Sequence, residues 1–316
     1  MVRRRLLKAA AAGLAGALCA GTLSGCAQLT RAYPQSLAPR GALTPVQSLH
    51  GARLMPRAGP GGTPVPHDGF GPLTFFVFPV AVAASPFATV IADAGAGRLY
   101  RYDPAVDAMA VVPGALVTPQ TRLALGPDGS VYVANRGGAP LRRYDRDGRL
   151  LQEIVPYPGG AAYGDIAIDG VNGMVYALDQ GLGRVEEVHP LGRSATLLAE
   201  ELMYGTPTAI AWDDRRLYLA GVHCGCVVAV STLERTRTLV AQGLRRPAAL
   251  AAGDGWLAVL DTAARKLSLF RHGLPYADAT TESLRLIDPQ GIALSGGLLY
   301  VADAAGRRVA VFRIGK

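Results

Sequence analysis

The greatest chemical capacity in this chain sits in one short stretch, Gly221-Val222-His223-Cys224-Gly225-Cys226, where a histidine adjoins two cysteines separated by a single glycine. Three readings are open from the residue types. In an oxidising compartment the thiols can pair, if Gly225 permits the tight bend that brings the two Cα atoms within disulfide range. Such a bond would staple the loop or exchange with other thiols. His223, Cys224 and Cys226 could instead bind a soft metal such as zinc or copper, although three ligands leave the set incomplete and Cys-x-Cys lacks the usual two-residue spacer. In the third reading both thiols stay unpaired and have no role. Apart from that soft metal, no cofactor is predicted.

A second set of candidates is acidic. Short apolar stretches end in Asp93, Asn135, Asp179, Asp261 and Asp303, and a sixth of the same type, LYLAG, ends in Gly221. A ring of such carboxylates could be read as a cation site. The basic residues argue otherwise, because the position five beyond the marker is Arg98, Arg184, Lys266 or Arg308 where the marker is Asp, and Pro140 or Cys226 where it is not. Acid and base come and go together. That is expected of pairs across a hairpin neck, each worth well under about 1 kcal/mol when exposed. Arg122, Tyr163, Asp165, Tyr204 and Gln290 are further polar residues at or before predicted first strands. Arg122 and Asp165 could orient a ligand at a channel mouth, or they could solvate the rim or pair with each other.

The elements that must position these residues follow from the spacing. The markers at 93, 135, 179, 221, 261 and 303 recur at intervals of 40–44 residues, and one repeating period of that length indicates a repeat architecture. Each marker ends a strand rich in Val, Leu, Tyr and Ala. Upstream of four of them stands a Pro-x-x-h-Ala strand, at Pro79–Ala83, Pro207–Ala211, Pro247–Ala251 and Pro289–Ala293. Proline is tolerated at a strand's first residue, and small alanines suit a strand near a crowded axis. A third strand begins six residues past each marker and a fourth follows. Asp-Gly turns at 128, 147, 169 and 254 punctuate the pattern. The expected fold is all-β: a six-bladed β-propeller of four-stranded antiparallel blades spanning residues 71–316, its ring closed by an N-terminal strand, for which Leu73–Val77 is the natural donor.

These units resemble the NHL repeat family, best at Tyr300-Val301-Ala302-Asp303 and Arg308-Val309-Ala310-Val311-Phe312. The resemblance implies a propeller that hosts either binding or catalysis. Amidating lyases and gluconolactonase-like enzymes on such propellers hold a channel metal, the former through inner-strand His, the latter through Glu, Asn and Asp. Here His50, His67, His189, His223 and His272 all fall outside the predicted first strands, and those strands carry no Glu. The sequence leans away from an enzyme and toward a platform for a protein, peptide or glycan. A small-molecule hydrolase or lyase using the channel is the alternative, and thiol or metal handling at His223-Cys224-Gly225-Cys226 the third reading.

The N-terminus bears a different message. Arg3 to Lys8 is basic, Ala9 to Ala20 is a short apolar run, and Leu23-Ser24-Gly25-Cys26 resembles the bacterial lipobox. The resemblance implies a signal peptide at 1–25, lipidation of Cys26 and anchoring in a bilayer through its acyl chains. Ala27, rather than Asp, implies the outer membrane facing the periplasm if the cell is Gram-negative. Arg3-Arg4-Arg5-Leu6-Leu7-Lys8 also resembles a twin-arginine signal, with Val2 as a departure. Residues 26–70 are rich in Pro and Gly and read as a semi-rigid tether. Without the four basic residues of the signal, 28 basic residues of the 32 face 24 acidic ones. So weak and scattered an excess excludes nucleic acid as the partner.

Overall fold

The computed structural model describes residues 42–55, 71–137, 140–156, 163–192, 196–199 and 207–315. Every regular element among them is a strand, and the sheets form a six-bladed β-propeller. Within a blade the strands run inner to outer in chain order. Blade one, for example, begins with Pro79–Ser85, Ala88–Asp93, Arg98–Asp103 and Ala108–Val112, and blade five is Pro247–Gly253, Trp256–Asp261, Lys266–Arg271 and Leu274–Thr280.

The second strands are continuous apolar runs because both of their faces are covered. Ala88–Asp93 and Trp256–Asp261 are buried at every residue. Only a strand sandwiched between two neighbouring sheets has no need to alternate. The core is accordingly divided into six clusters, each shared by two adjacent blades. Val90 and Leu99 of blade one meet Val131 and Val133 of blade two. Leu260 and Leu267 of blade five meet Leu299 and Val301 of blade six. The set closes where Ala302 and Val309 of blade six pack with Ile91 and Tyr100 of blade one. Each large side chain so buried contributes roughly 1.5–3 kcal/mol, and no blade can bury its faces alone.

The ring is closed by an N-terminal strand, as expected, but the donor is not Leu73–Val77. The fourth strand of blade six is Leu43–Leu49, paired antiparallel with Arg308–Ile314 from Leu43↔Ile314 to Leu49↔Val309. Leu73–Phe75 lies elsewhere, at the outer edge of blade one, paired with Gly51–Leu54, which adds in parallel to Ala108–Val112. Part of the expected tether is therefore propeller, and the folded unit begins near residue 43, ahead of residue 71. Pro45 is accommodated because it lies on an edge strand at a register shift, where its missing N–H breaks no ladder. The signal segment, Cys26 and Tyr204 lie outside the described residues.

Inner strands approach the axis closely. A Cβ built on Gly291 in blade six would lie 2.8 Å from the carbonyl oxygen of Val80 in blade one, so glycine is required there. In five blades the residue after the strand's first is a β-bulge, as between Pro79 and Ala81 or Pro247 and Ala249. Blade two lacks it: Thr121, Arg122 and Leu123 pair consecutively with Asn135, Ala134 and Val133.

Candidate functional site

Second strands end, and inner strands begin, at one mouth of the propeller. This marker face holds most of the residues singled out from the sequence. The markers are not an open ring of charge. Asp93 and Asp303 are fully buried, and Asp179 and Asp261 are 1% exposed. Backbone N–H groups account for them. Asp93 accepts from Val77 and Phe78 at 2.8 Å and from Ala96 at 3.1 Å. Asp261 accepts from Arg245, Arg246 and Ala264, and Asp303 from Ile287 and Asp288. Asp93, Asp261 and Asp303 thus clamp the segments entering their own inner strands, and the turn three residues onward is held in blades one and five and, through Leu182, by Asp179 in blade three. Asn135 does the same with neutral groups, accepting from Thr118 and Thr121 and donating to the Leu116 carbonyl.

The basic partners behave unevenly. Arg308 Nε reaches Asp303 at 3.1 Å, and Arg184 Nε stands 3.8 Å from Asp179. Lys266 turns to Asp278 at 3.1 Å rather than to Asp261. Arg98 faces Asp93 across the backbone ladder, with no ion pair between the side chains among the described contacts. Among the described contacts, hairpin pairing of acid and base therefore holds in blades three and six. What Asp93, Asp261 and Asp303 share is the backbone clamp, which the spacing of charges did not reveal because its donors lie 15–16 residues upstream; among the described contacts Asp179 takes its backbone bond from Leu182 instead, at 3.1 Å.

In blade four, Gly221 replaces the acid. Cys224 and Cys226 form a disulfide with Cα atoms 5.1 Å apart. Gly225 between them has φ +55°, and a Cβ there would lie 2.5 Å from the Leu244 carbonyl oxygen. Only glycine satisfies both demands. Cys226 is buried and pairs with Gly221, while Cys224 is half-buried and His223 exposed. With each sulfur bonded to the other, neither is a thiolate ligand beside His223. Among the described residues no three of His, Cys, Asp and Glu cluster as a metal set.

The other predicted mouth residues separate. Arg122, freed by the missing bulge, occupies the rung of blade two that Asp165 occupies in blade three: each faces the residue just before the marker, Ala134 and Leu178. Arg122 donates to the Thr121 carbonyl at 3.0 Å. Asp165 accepts the N–H groups of Ile166 and of Ile210 in the next blade, both at 3.0 Å. Burial pushes its pKa up to about 6, against the opposing pull of Arg122 and the two N–H bonds. The two side chains form no ion pair among the described contacts; their coupling is through space.

Tyr163 is not at the channel. Its hydroxyl donates to Glu186 Oε2 at 2.6 Å in the interior of blade three, and Arg184 holds Glu186 Oε1 at 2.8 Å. Burial, reinforced by Glu186, raises the Tyr163 pKa. Glu186 was not anticipated from sequence, although two consecutive acids in a predicted third strand are a signal. Gln290 donates to Asp288 at 2.6 Å. Gln180, also unanticipated, ties blade three to the Thr208 carbonyl of blade four at 2.7 Å.

Around the same mouth, large aliphatics are exposed on five blades: Val77 47%, Leu116 48%, Leu182 52%, Val222 37% and Ile287 66%. The opposite face also exposes Phe87, Val171, Leu191 and Leu233. There, however, the turns carry charges of both signs, among them Asp107, Asp214, Arg215 and Asp254.

Solved structures share this architecture. The nidogen/laminin complex contains a chain with 18% identity and a TM-score of 0.56, over 69% of this chain and 86% of that one. A virginiamycin B lyase from Staphylococcus aureus crystallised with quinupristin gives 13% and 0.58, over 86% and 98%. A gluconolactonase from Xanthomonas campestris gives 14% and 0.57, over 88% and 99%. No protein-family model matches the chain, and no match is found among curated proteins. At such identities the likeness is one of fold, and it spans binding proteins and enzymes alike.

Proposed function

We propose that this protein is a binding platform, a propeller of NHL-like repeats that receives a macromolecular partner on its marker face. The aliphatic rim carries the reading. Five large apolar side chains exposed at one mouth, on five different blades, form a broad patch of the kind that marks an interaction surface. The buried carboxylates beneath it are occupied by backbone N–H groups, which makes that face a rigid support. The lipobox at Leu23-Ser24-Gly25-Cys26 supports attachment to a bacterial envelope through acylated Cys26, facing the periplasm, and the partner class remains protein, peptide or glycan.

The channel supplies a second reading, a small-molecule hydrolase or lyase. Its support is Asp165, a buried carboxyl with a pKa near 6 beside Arg122, since a group so tuned can move a proton near neutral pH. One comparison separates the two. Envelope extracts are passed over the wild-type protein, a Leu182→Ser/Ile287→Ser variant and Asp165→Asn. The platform reading expects a retained partner to be lost with the rim variant and kept with Asp165→Asn. A partner retained equally by all three would sink it, and turnover of a lactone or cyclic ester abolished by Asp165→Asn would install the enzyme.

A further inference from the structure

The fourth residue of the loop after each marker has left-handed backbone wherever it is described. In blades one, three and four it is Gly97, Gly183 and Gly225, with φ from +55° to +63°. In blades five and six it is Arg265 and Arg307, both at φ +50°. A Cβ is disfavoured in this conformation because it crowds the neighbouring carbonyl oxygen. Space is nonetheless open in blades one and three, where a Cβ built on Gly97 meets nothing within 4 Å and one on Gly183 nothing nearer than 3.8 Å. Two adjacent blades thus accept backbone strain to display an arginine where their siblings carry glycine, and such outliers point toward function.

A third left-handed arginine, Arg285 at φ +53°, lies in the connector entering blade six. Arg245 and Arg246 occupy the corresponding connector of blade five. Backbone bonds join these segments side by side. Thr262 donates to the Arg246 carbonyl at 3.1 Å, Thr281 to that of Arg265 at 2.9 Å, and Ala304 to that of Asp288 at 2.9 Å. The Arg308 guanidinium donates to the Arg285 carbonyl. All five arginines are exposed. Among the described contacts, the guanidiniums of Arg245, Arg246, Arg285 and Arg307 make no hydrogen bond or ion pair, while Arg265 has one long bond, 3.4 Å, to Thr281. The acids nearby offer little compensation. Asp261 and Asp303 are buried under backbone N–H groups, Asp278 is held by Lys266, half-buried Asp288 accepts from Gln290, and Glu282 is the exposed carboxylate of the sector. Turn geometry alone does not choose this sign, since left-handed positions on the opposite face carry Asp107, Asp214 and Asp254 as well as Arg215 and Arg235.

We infer that this sector of blades five and six binds a carboxylate-rich segment of a partner protein. The inference rests on the platform reading and names its chemistry. Guanidinium forks match carboxylates bidentately, and five of them over two blades suit an extended acidic stretch. Ile287, 66% exposed among them, adds an apolar contact. A membrane of anionic headgroups fits less well. A lipid plane would meet the whole face, yet five exposed arginines lie in two blades, against Arg98 and Arg136 on the others, whose rim is otherwise aliphatic.

The test uses a labelled peptide of repeated Glu-Glu-Leu and its Gln-Gln-Leu counterpart, followed by fluorescence anisotropy at low and high salt. Arg265→Gly/Arg307→Gly restores the residue of the sibling blades, so the fold is preserved, which a thermal unfolding midpoint equal to or above wild type verifies. The expected result is binding of the acidic peptide that weakens at least tenfold in the double variant, weakens with salt, and is unchanged in Arg215→Gly on the opposite face. Equal binding by wild type and double variant would overturn the inference. So would preference for phosphatidylglycerol vesicles over the acidic peptide, with vesicle binding lost in the double variant. Equal binding of both peptides, lost in Leu182→Ser/Ile287→Ser, would remove the arginine site and leave the platform standing.

Discussion

Asp165 of blade three holds the backbone N–H of Ile210 in blade four at 3.0 Å, a carboxylate bond that crosses from one inner strand to the next. It is a costly fastening, because burial raises the acid's pKa from its ordinary 3.8 to about 6. The folded state therefore binds this proton more tightly than the unfolded chain does. The associated stabilisation is complete below pH 3.8 and is lost as pH rises to about 6, a change of about 3 kcal/mol. In Asp165→Asn that dependence should vanish. Urea unfolding at pH 4, 5 and 7 should show the wild-type advantage over the variant shrinking by about 2 kcal/mol across the window, since the unfolded-state group is already partly ionised at pH 4; a constant difference would refute the assignment.

Removing a marker carboxylate should be severe. Asp93→Ala strands the part-buried N–H groups of Val77, Phe78 and Ala96. Each unsatisfied group costs about 1–3 kcal/mol, so a loss of at least about 3 kcal/mol is expected in denaturant unfolding. Arg98→Ala, which removes no such clamp, should cost less than about 1 kcal/mol.

The disulfide of blade four should add little to stability. It closes a ring of three residues inside a hairpin neck already joined by the Gly221↔Cys226 pairing. Loop-entropy arguments give at most about 2 kcal/mol for so short a ring. Cys224→Ser/Cys226→Ser should therefore fold and lose less than that in chemical denaturation, and the wild-type protein should show no free thiol at these positions until reduced.

Deleting residues 42–49 should open the ring. Arg308–Ile314 would lose its outer partner and become an exposed edge. A sharp fall in the unfolding midpoint and faster proteolysis are expected. Deletion of residues 26–41, which spares the closing strand, should leave both near wild type.

Cys26→Ala addresses the envelope proposal. The unacylated protein should leave the membrane fraction and appear in the soluble one, with its fold intact by circular dichroism. Retention in the membrane fraction would remove the lipid anchor from the reading.

Much of this architecture is legible from one chain because a propeller repeats its local instructions. The period, the buried second strands and the turn after each marker all depend on residues close in sequence, and six copies reinforce one another. The closing strand was not legible in that way, because Leu43–Leu49 carries Thr, Pro, Gln and Ser and reads as part of the Pro- and Gly-rich tether, while Leu73–Phe75 fits the strand pattern. Whether Leu43–Leu49 or Leu73–Phe75 closed the ring was decided by the free edge of Arg308–Ile314, more than 250 residues away in the chain. The marker aspartates were likewise identifiable as a set, but the work of Asp93, Asp261 and Asp303 was decided by N–H groups from the connectors, which only strand pairing brings beneath them. Blade two shows the same limit at single-residue scale. Thr121 stands as far before Asn135 as Pro79 does before Asp93, yet pairing moves the extra residue from a bulge into the turn and so sets Arg122 level with Asp165. Sequence by itself determined the repeat, the fold and the residues able to do chemistry. Tertiary structure decided which of them are satisfied internally and which face outward, because satisfaction of a buried polar group depends on partners that the chain brings together only when the ring is closed.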